Sequence, residues 1–374
     1  MKILFCSPWR IDEKLGGPQV LIKLAAEFEA MGWAATLLGP EHLGAEGAEY
    51  SDKLYRYLQV HAGAYDVIDF EYKWLHYTRA AFPDAVLMVA RSQLLQHHFL
   101  TIPLPPAPTL RSRIRRRLWH PIDRRRLAAK VRRDDAALRE ADLVIVLNKQ
   151  DEAVLQRHGI APAKIRVFPN GMSEARHKAF EAVSADPPEQ PLVAFIGMYG
   201  PRKGAREFPR IVEAVTRVVP EARFRLLGTR GMFKTASDVH QCFPRNLHRY
   251  LEVIPVFEPE ALPALLAPCA VGIFPSYLEG FPLGVMEMLA AAVPVVAFDA
   301  PGAPEMVPSD YLVARGDVQA MAERVIALLQ DRARLAEARR WARQRIQPLR
   351  WQPIARALKE TYEDALTRKR AGAP

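Results

Sequence analysis

Cysteine is scarce in this sequence of 374 residues: Cys6, Cys242 and Cys269 stand far apart. They form neither a metal-type pair nor a disulfide framework, so a reducing cytoplasm is the expected setting. Long apolar runs are missing too. None approaches the ~20 residues needed to cross a bilayer. Met1–Phe5 runs directly into a strand-like segment with no signal-peptide pattern. No Asp-x-Asp metal motif, no GxGxxG and no short-period repeat is present. These absences set aside disulfide scaffolds, transmembrane proteins and solenoids.

An evenly spread charge excess is also lacking. The net charge is +10, yet Arg111–Arg133 alone holds ten arginines, one lysine and one aspartate. The rest is balanced, with 41 basic and 41 acidic residues. The basicity is therefore one patch rather than a surface coated for nucleic acid. Leu110, Ile114 and Leu118 repeat every four positions, Pro121 interrupts the run, and Leu127 and Val131 follow. This predicts one or two basic amphipathic helices. Two readings stand open, a helix pair with its arginines in water and a dock on an anionic membrane surface. Nucleic acid is not expected, because no aromatic-interleaved module accompanies the arginines.

What remains is ordinary globular composition, 49% hydrophobic and 25% charged, in a length that suits two domains. Strand-like runs at Lys2–Ser7, Ala35–Leu38, Val67–Phe70, Ala85–Ala90, Leu143–Leu147 and Ile165–Phe168 alternate with helical spacing, as in Val20, Leu24, Phe28 and Met31. Ala182–Pro191 is polar and Pro-rich, a linker by composition. The alternation then resumes with Leu192–Gly197, Arg223–Leu227, Leu251–Val256, Ala270–Phe274, Pro294–Phe298 and a run around Tyr311–Val313. The predicted fold is α/β, with two Rossmann-like doubly wound domains facing a cleft. Its predicted parts are an N-terminal domain over 1–181, a linker over 182–191, a second domain over 192–350, and a terminal amphipathic helix over 351–374.

The chemistry-bearing residues lie at predicted strand ends. Gly16 and Gly17 precede Pro18 at a helix start, where backbone can approach a ligand and free amides favour an anion. Arg202 and Lys203, in Pro201–Gly204, are suited to a diphosphate. The stretch Ala270–Phe298 reads strand, loop, helix, strand, with Glu279 and Glu287 bracketing the helix start. Its amides from Phe281 to Gly284 would aim at an anion, whereas a carboxylate there makes sense as an acceptor for hydroxyls. A nucleotide sugar meets both needs. Glu71, Tyr72, Trp74, Arg91, Ser92 and Asn148 follow other strands, and Asn148 also fits a helix cap.

These motifs resemble the family 4 (group 1) retaining glycosyltransferases of GT-B fold. The resemblance rests on Gly16-Gly17, Phe168-Pro169-Asn170-Gly171, Pro201-Arg202-Lys203-Gly204, Phe274-Pro275-Ser276, the Glu279/Glu287 pair and Gly302-Ala303-Pro304-Glu305. It implies that Glu279 contacts donor-sugar hydroxyls and Glu287 the ribose. Arg202 and Lys203 would bind the diphosphate, with Gly16, Gly17 and the Gly280, Phe281, Pro282, Leu283, Gly284 stretch completing the donor site. It implies a nucleotide-diphosphate sugar as donor, no metal or other cofactor, and a terminal helix that returns to the first domain. The implied reaction moves a hexose to an acceptor hydroxyl with retention, in bacterial cell-surface polysaccharide or glycolipid synthesis. The acceptor, a carbohydrate, lipid-linked or other, is not read from the sequence. Four positions depart from the pattern: Met198 for an arginine, Arg91 for a histidine, Ser173 for an aspartate and Ala292 for a glycine. Two alternatives then stand for the missing histidine: Arg91 reaching phosphate, or His97 or His98 coming in from the following helix. The competing readings are an inverting transferase with Asp69, Glu71 or His76 as base, a sugar-nucleotide epimerase, and a non-catalytic module that binds anionic lipid or nucleic acid through the arginine run.

Overall fold

A computed structural model describes residues 1–12, 16–45, 47–101 and 110–371; in the helices opening at 16 and 110, side chains are described from 17 and from 122 onward. The chain forms two compact units. The first takes in the described residues up to Ser173 and those from Leu349 onward, and the second is Glu174–Pro348.

The first unit runs β1 (Lys2–Cys6), α1 (Gly16–Ala30), β2 (Ala34–Leu38), α2 (Pro40–Leu43), α3 (Glu49–His61) and β3 (Val67–Glu71). It continues with β4 (Leu87–Arg91), α4 (Leu110–Glu140), β5 (Leu143–Val146), α5 (Lys149–Arg157) and β6 (Ile165–Val167). All six strands are parallel, in the order β2-β1-β3-β4-β5-β6. Strands covered by helices on both faces must be apolar along their length, and every residue of β3 and β4 is buried. On one face Leu54 and Leu58 of α3, Leu138 of α4 and Leu155 of α5 pack on Ile68, Met88 and Val144.

The second unit opens with α6 (Glu174–Glu181), then β7 (Leu192–Ile196), α7 (Phe208–Val218), β8 (Arg223–Leu227), α8 (Ala236–His240), β9 (Leu251–Ile254) and α9 (Leu262–Leu266). It closes with β10 (Val271–Phe274), α10 (Leu283–Ala290), β11 (Val295–Phe298), β12 (Leu312–Val313), α11 (Val318–Gln330) and α12 (Arg332–Arg345). Its sheet is also parallel, in the order β12-β11-β10-β7-β8-β9. The strand order reverses at the β7–β10 pair, the switch point where ligands of such sheets collect at the carboxyl ends.

The long helix α13 (Trp351–Arg370) belongs to the first unit and packs along α1. Trp351, Leu358, Tyr362 and Leu366 share a core with Leu24, Phe28, Ile3 and Val89. Its start is pinned by a parallel bridge between Met172 and Arg350. A Cβ on Gly171 would stand 2.6 Å from the Trp351 nitrogen, so only glycine allows this approach.

Two sequence expectations change, and the choice between one and two basic helices falls on one. The division after Ser173 precedes the expected one after 181, because α6 is held by the second unit. Phe180 is buried, and Arg343 donates to the carbonyls of Glu181 at 3.2 Å and of Val183. The arginine run is one continuous helix, α4, in which Pro121 forgoes one backbone hydrogen bond without ending the element. The side chains of Arg111–Arg117 lie outside the described residues, whereas Arg124, Arg125, Arg126, Lys130, Arg132 and Arg133 are exposed. Finally, Gly16, Gly17 and Pro18 form the first turn of α1 itself.

Arg91 is not placed for substrate. It is 4% exposed, and its guanidinium donates to both Asp69 oxygens at 3.0 and 2.5 Å and to the Tyr362 hydroxyl at 3.1 Å. Tyr362 in turn donates to Asp69 at 2.7 Å. Burial alone would weaken the charge on Arg91, but Asp69 outweighs it and the guanidinium binds its proton more tightly than usual. This closed triad fastens α13 to the sheet. Removing Arg91 strands the buried charge of Asp69, whereas removing the Tyr362 hydroxyl leaves the ion pair in place. Arg91→Ala is expected to cost about 3–5 kcal/mol and Tyr362→Phe about 1 kcal/mol, both read by urea unfolding.

Candidate active site

The second unit assembles its polar residues at the carboxyl ends of the adjacent strands β7 and β10. After β7 the chain makes a tight turn over Pro201–Lys203 and leaves it at Gly204, whose φ is 83°. A Cβ there would lie 2.3 Å from the Pro275 carbonyl oxygen, so the two loops touch backbone to backbone. The Tyr277 amide donates to the Arg202 carbonyl at 2.8 Å and locks them in register.

This contact brings four polar side chains together. Lys203 Nζ lies 2.7 Å from Glu279 Oε1, and Arg202 Nη1 lies 3.2 Å from the same oxygen. Ser276 Oγ donates to it as well. Arg202 also donates to the Leu278 carbonyl at 2.6 Å, and Lys203 Nζ stands 4.8 Å from the Phe274 ring centre. The approaches of Lys203, Arg202 and Ser276 to Glu279 all converge on Oε1. Burial disfavours charge on Glu279, but Lys203, Arg202 and the bonds from Lys203 and Ser276 hold its carboxyl below the usual range. Burial depresses Lys203, and Arg202 adds to it, against the pull of Glu279.

Helix α10 begins beside this cluster. Gly284 sits so close that a Cβ would come within 2.7 Å of the Ile196 carbonyl oxygen, at the end of β7. Pro282 is its N-cap and no side chain caps the helix, which leaves first-turn amides available. Gly280 and Leu283 stand on either side of this turn, and Phe281 is 7% exposed. One turn on, Glu287 Oε1 accepts a bond of 2.5 Å from Arg176 Nη2 of α6. Arg176 Nη1 also donates to the Pro259 carbonyl at 3.2 Å, and its guanidinium covers the Phe180 ring. Burial raises the Glu287 carboxyl despite Arg176.

Ser276 and Arg176 extend the predicted set. Ser276 lies three residues before Glu279, a local signal; Arg176 lies 111 residues from Glu287 and has none. In the first unit, Gly17 is crowded by the chain itself. A Cβ would meet Gln93 Oε1 at 2.9 Å and the Trp9 ring at 3.0 Å, and Gln93 Nε2 donates to the Gly17 carbonyl at 3.3 Å. The other candidates there hold structural partners. Glu71 pairs with Lys73 at 3.0 Å, and His76 with Asp134 at 3.0 Å. His97 meets Asp135 and His98 meets Asp151, both at 2.6 Å. Asn148 caps α5 by accepting from the Asp151 amide at 2.7 Å. His97, Asp135 and His158 bring one ligand-type atom each within 4.8 Å of one another, and Asp135 hydrogen-bonds both imidazoles.

Residues 190–331 match the family described as Glycosyl transferases group 1. Over 152 residues the chain is 34% identical to the O-antigen chain mannosyltransferase B of Escherichia coli, covering 38% of each. Over 242 residues it is 27% identical to the D-inositol 3-phosphate glycosyltransferase of Nocardia farcinica, covering 61% of this chain and 53% of that one. The chain thus spans about half or less of the length of these curated relatives. Among solved structures, sucrose-phosphate synthase from Thermosynechococcus elongatus superposes with a TM-score of 0.73 at 20% identity, over 98% of this chain and 99% of that one. Anabaena Alr3699/HepE, in complex with UDP and glucose, gives 0.66 at 18% identity, over 97% and 99%. The fold is GT-B.

The buried ion pair has an asymmetry that can be measured. Without Glu279, Lys203 and Arg202 would face each other uncompensated. Without Lys203, Glu279 keeps Arg202 and Ser276. Glu279→Ala is therefore expected to destabilise by about 3 kcal/mol or more, and Lys203→Ala by clearly less, in urea unfolding at neutral pH.

Proposed function

From the match of residues 190–331 to the Glycosyl transferases group 1 model, we propose that the chain transfers a hexose-type sugar from a nucleotide-diphosphate sugar to an acceptor hydroxyl, with retention. The observation that carries the reading is the convergence of Lys203, Arg202 and Ser276 on one oxygen of Glu279, beside the open first turn of α10. UDP and UDP-glucose are bound by the Anabaena protein of the same fold, and the matched relatives include an O-antigen mannosyltransferase. Cell-surface polysaccharide or glycolipid synthesis is the corresponding setting.

Cleaving the anomeric carbon–oxygen bond places charge on the leaving diphosphate. Arg202, Lys203 and the amides around Leu283 and Gly284 would carry that charge without a metal. An arriving diphosphate competes with Glu279 for the two cations. Ser276 then keeps the carboxylate in place, and Oε2 accepts the donor sugar's hydroxyls. Glu287, held by Arg176, would accept from the ribose. Attack from the face of departure lets a phosphate oxygen take the acceptor proton, so no protein nucleophile is required. Closure over the donor keeps water from hydrolysing it.

A second element of the proposal concerns α4. No described helix is long and apolar enough to cross a membrane. The exposed arginines of α4 suit docking on the anionic inner face of a plasma membrane, each worth ~1 kcal/mol near such a surface.

Lys203→Ala and Glu279→Ala are expected to lower kcat/KM for donor turnover about 100-fold or more; near-wild-type rates in both would overturn the site assignment. Lys203 must be protonated to hold the diphosphate, and its affinity for the proton is depressed. The rate should therefore fall on the alkaline side, and Lys203→Arg, which keeps its charge, should move that fall to higher pH. The anomer of the product, read by NMR, decides between retention and inversion. Replacing Arg124, Arg125 and Arg126 by Gln is expected to abolish salt-sensitive retention on phosphatidylglycerol vesicles. Unchanged retention would dispose of the membrane element alone.

A further inference from the structure

A cavity of about 490 Å³ in the first unit is lined by Ser51, Asp52, Tyr55, Arg56, His76 and Arg133. It lies beside the carboxyl end of β3. Ser51 Oγ donates to the carbonyl of Trp74, in the turn that follows that strand, at 2.9 Å. His76, two residues further, is tied to Asp134 of α4 at 3.0 Å. The cavity is thus walled by the first turns of α3, the chain leaving β3, and α4. Carboxyl ends of parallel strands are where doubly wound sheets receive ligands, and none of these residues belongs to the cluster around Glu279.

Its charges are not consumed by the protein. Arg56 and Arg133 are exposed and form no ion pair among the described residues. Asp52 stands four positions before Arg56 on the same helix, the spacing at which opposite charges usually meet, yet no pair joins them. His76 spends Nε2 on Asp134 and keeps Nδ1 free among the described residues. Two guanidinium forks at one cavity suit the several oxygens of a phosphate better than a single-point contact. The volume greatly exceeds one phosphate group. A carboxylate, Asp52, and a phenol, Tyr55, offer partners for hydroxyls in the space left over.

We infer that this cavity binds an organic phosphate bearing hydroxyl groups, held at the phosphate by Arg56 and Arg133. Read with the proposed glycosyl transfer, on which this part rests, it is the recognition point for a phosphate-bearing acceptor. The same chemistry is offered by a soluble polyol phosphate and by a phospholipid headgroup.

The test is calorimetric titration of the intact protein with glycerol 3-phosphate, beside Arg56→Ala, Arg133→Ala and their double variant. Both sites are on the surface, so folding is not at stake. Saturable binding that weakens at least about tenfold in each single variant and vanishes in the double is expected. Arg132→Ala removes an equally exposed cation of α4 outside the cavity and should retain binding. Absence of saturable binding, or equal loss in Arg132→Ala, would overturn the inference. In a second arm, flotation on phosphatidylglycerol against phosphatidylcholine vesicles identifies the source. Retention on phosphatidylglycerol that glycerol 3-phosphate competes away assigns a lipid headgroup; binding of glycerol 3-phosphate without such competition assigns a soluble phosphate. Thermal stabilisation of the wild type by nucleoside diphosphates reports on the donor reading separately. A protein that binds UDP but not glycerol 3-phosphate loses this inference and keeps that one.

Discussion

A lysine ammonium enclosed by protein is tolerable only beside a carboxylate, and the second unit is arranged around meeting that condition. Lys203 follows β7, Glu279 sits in the loop after β10, and the ammonium has this carboxylate as its counter-charge. The backbone contact at Gly204 and Pro275, the Tyr277–Arg202 hydrogen bond and the Ser276 hydroxyl all hold the two loops at the spacing this pair needs. Parallel pairing of β7 with β10 makes the loops neighbours in the first place.

The same pair explains why the site is both rigid and responsive. In the absence of an anion the cations are neutralised internally, which fixes their side chains. In the proposed donor reading, a diphosphate offers more negative charge than one carboxylate, and the cations would exchange partners by side-chain movement. Lys203, Arg202 and Ser276 all crowd onto Oε1 of Glu279, so that one oxygen carries the loop-to-loop contact.

The strands were legible because parallel strands buried on both faces are short apolar runs, and all twelve fall on runs visible in the sequence. The cluster around Glu279 was legible because its members lie at strand ends within two short motifs. What was not legible depended on distant contacts. Arg91 follows a strand as a ligand-binding residue would, but Asp69 and Tyr362, the latter 271 residues away, claim it. Arg176 has no local mark of its bond to Glu287. Pro121 looked like a breaker, whereas α4 absorbs it. The boundary at Ser173 was hidden by the Pro-rich stretch after it, since composition reports chain flexibility and not which unit α6 packs against.

The return of α13 to the first unit has a consequence for biosynthesis. The second unit is contiguous in sequence, Glu174–Pro348, while the first buries Trp351, Leu358, Tyr362 and Leu366 in its own core. On the ribosome the second unit can complete its sheet before the first has the helix that covers one face of its own. The amino-terminal unit is begun first and finished last, and until α13 emerges its uncovered apolar face is the surface a chaperone would meet.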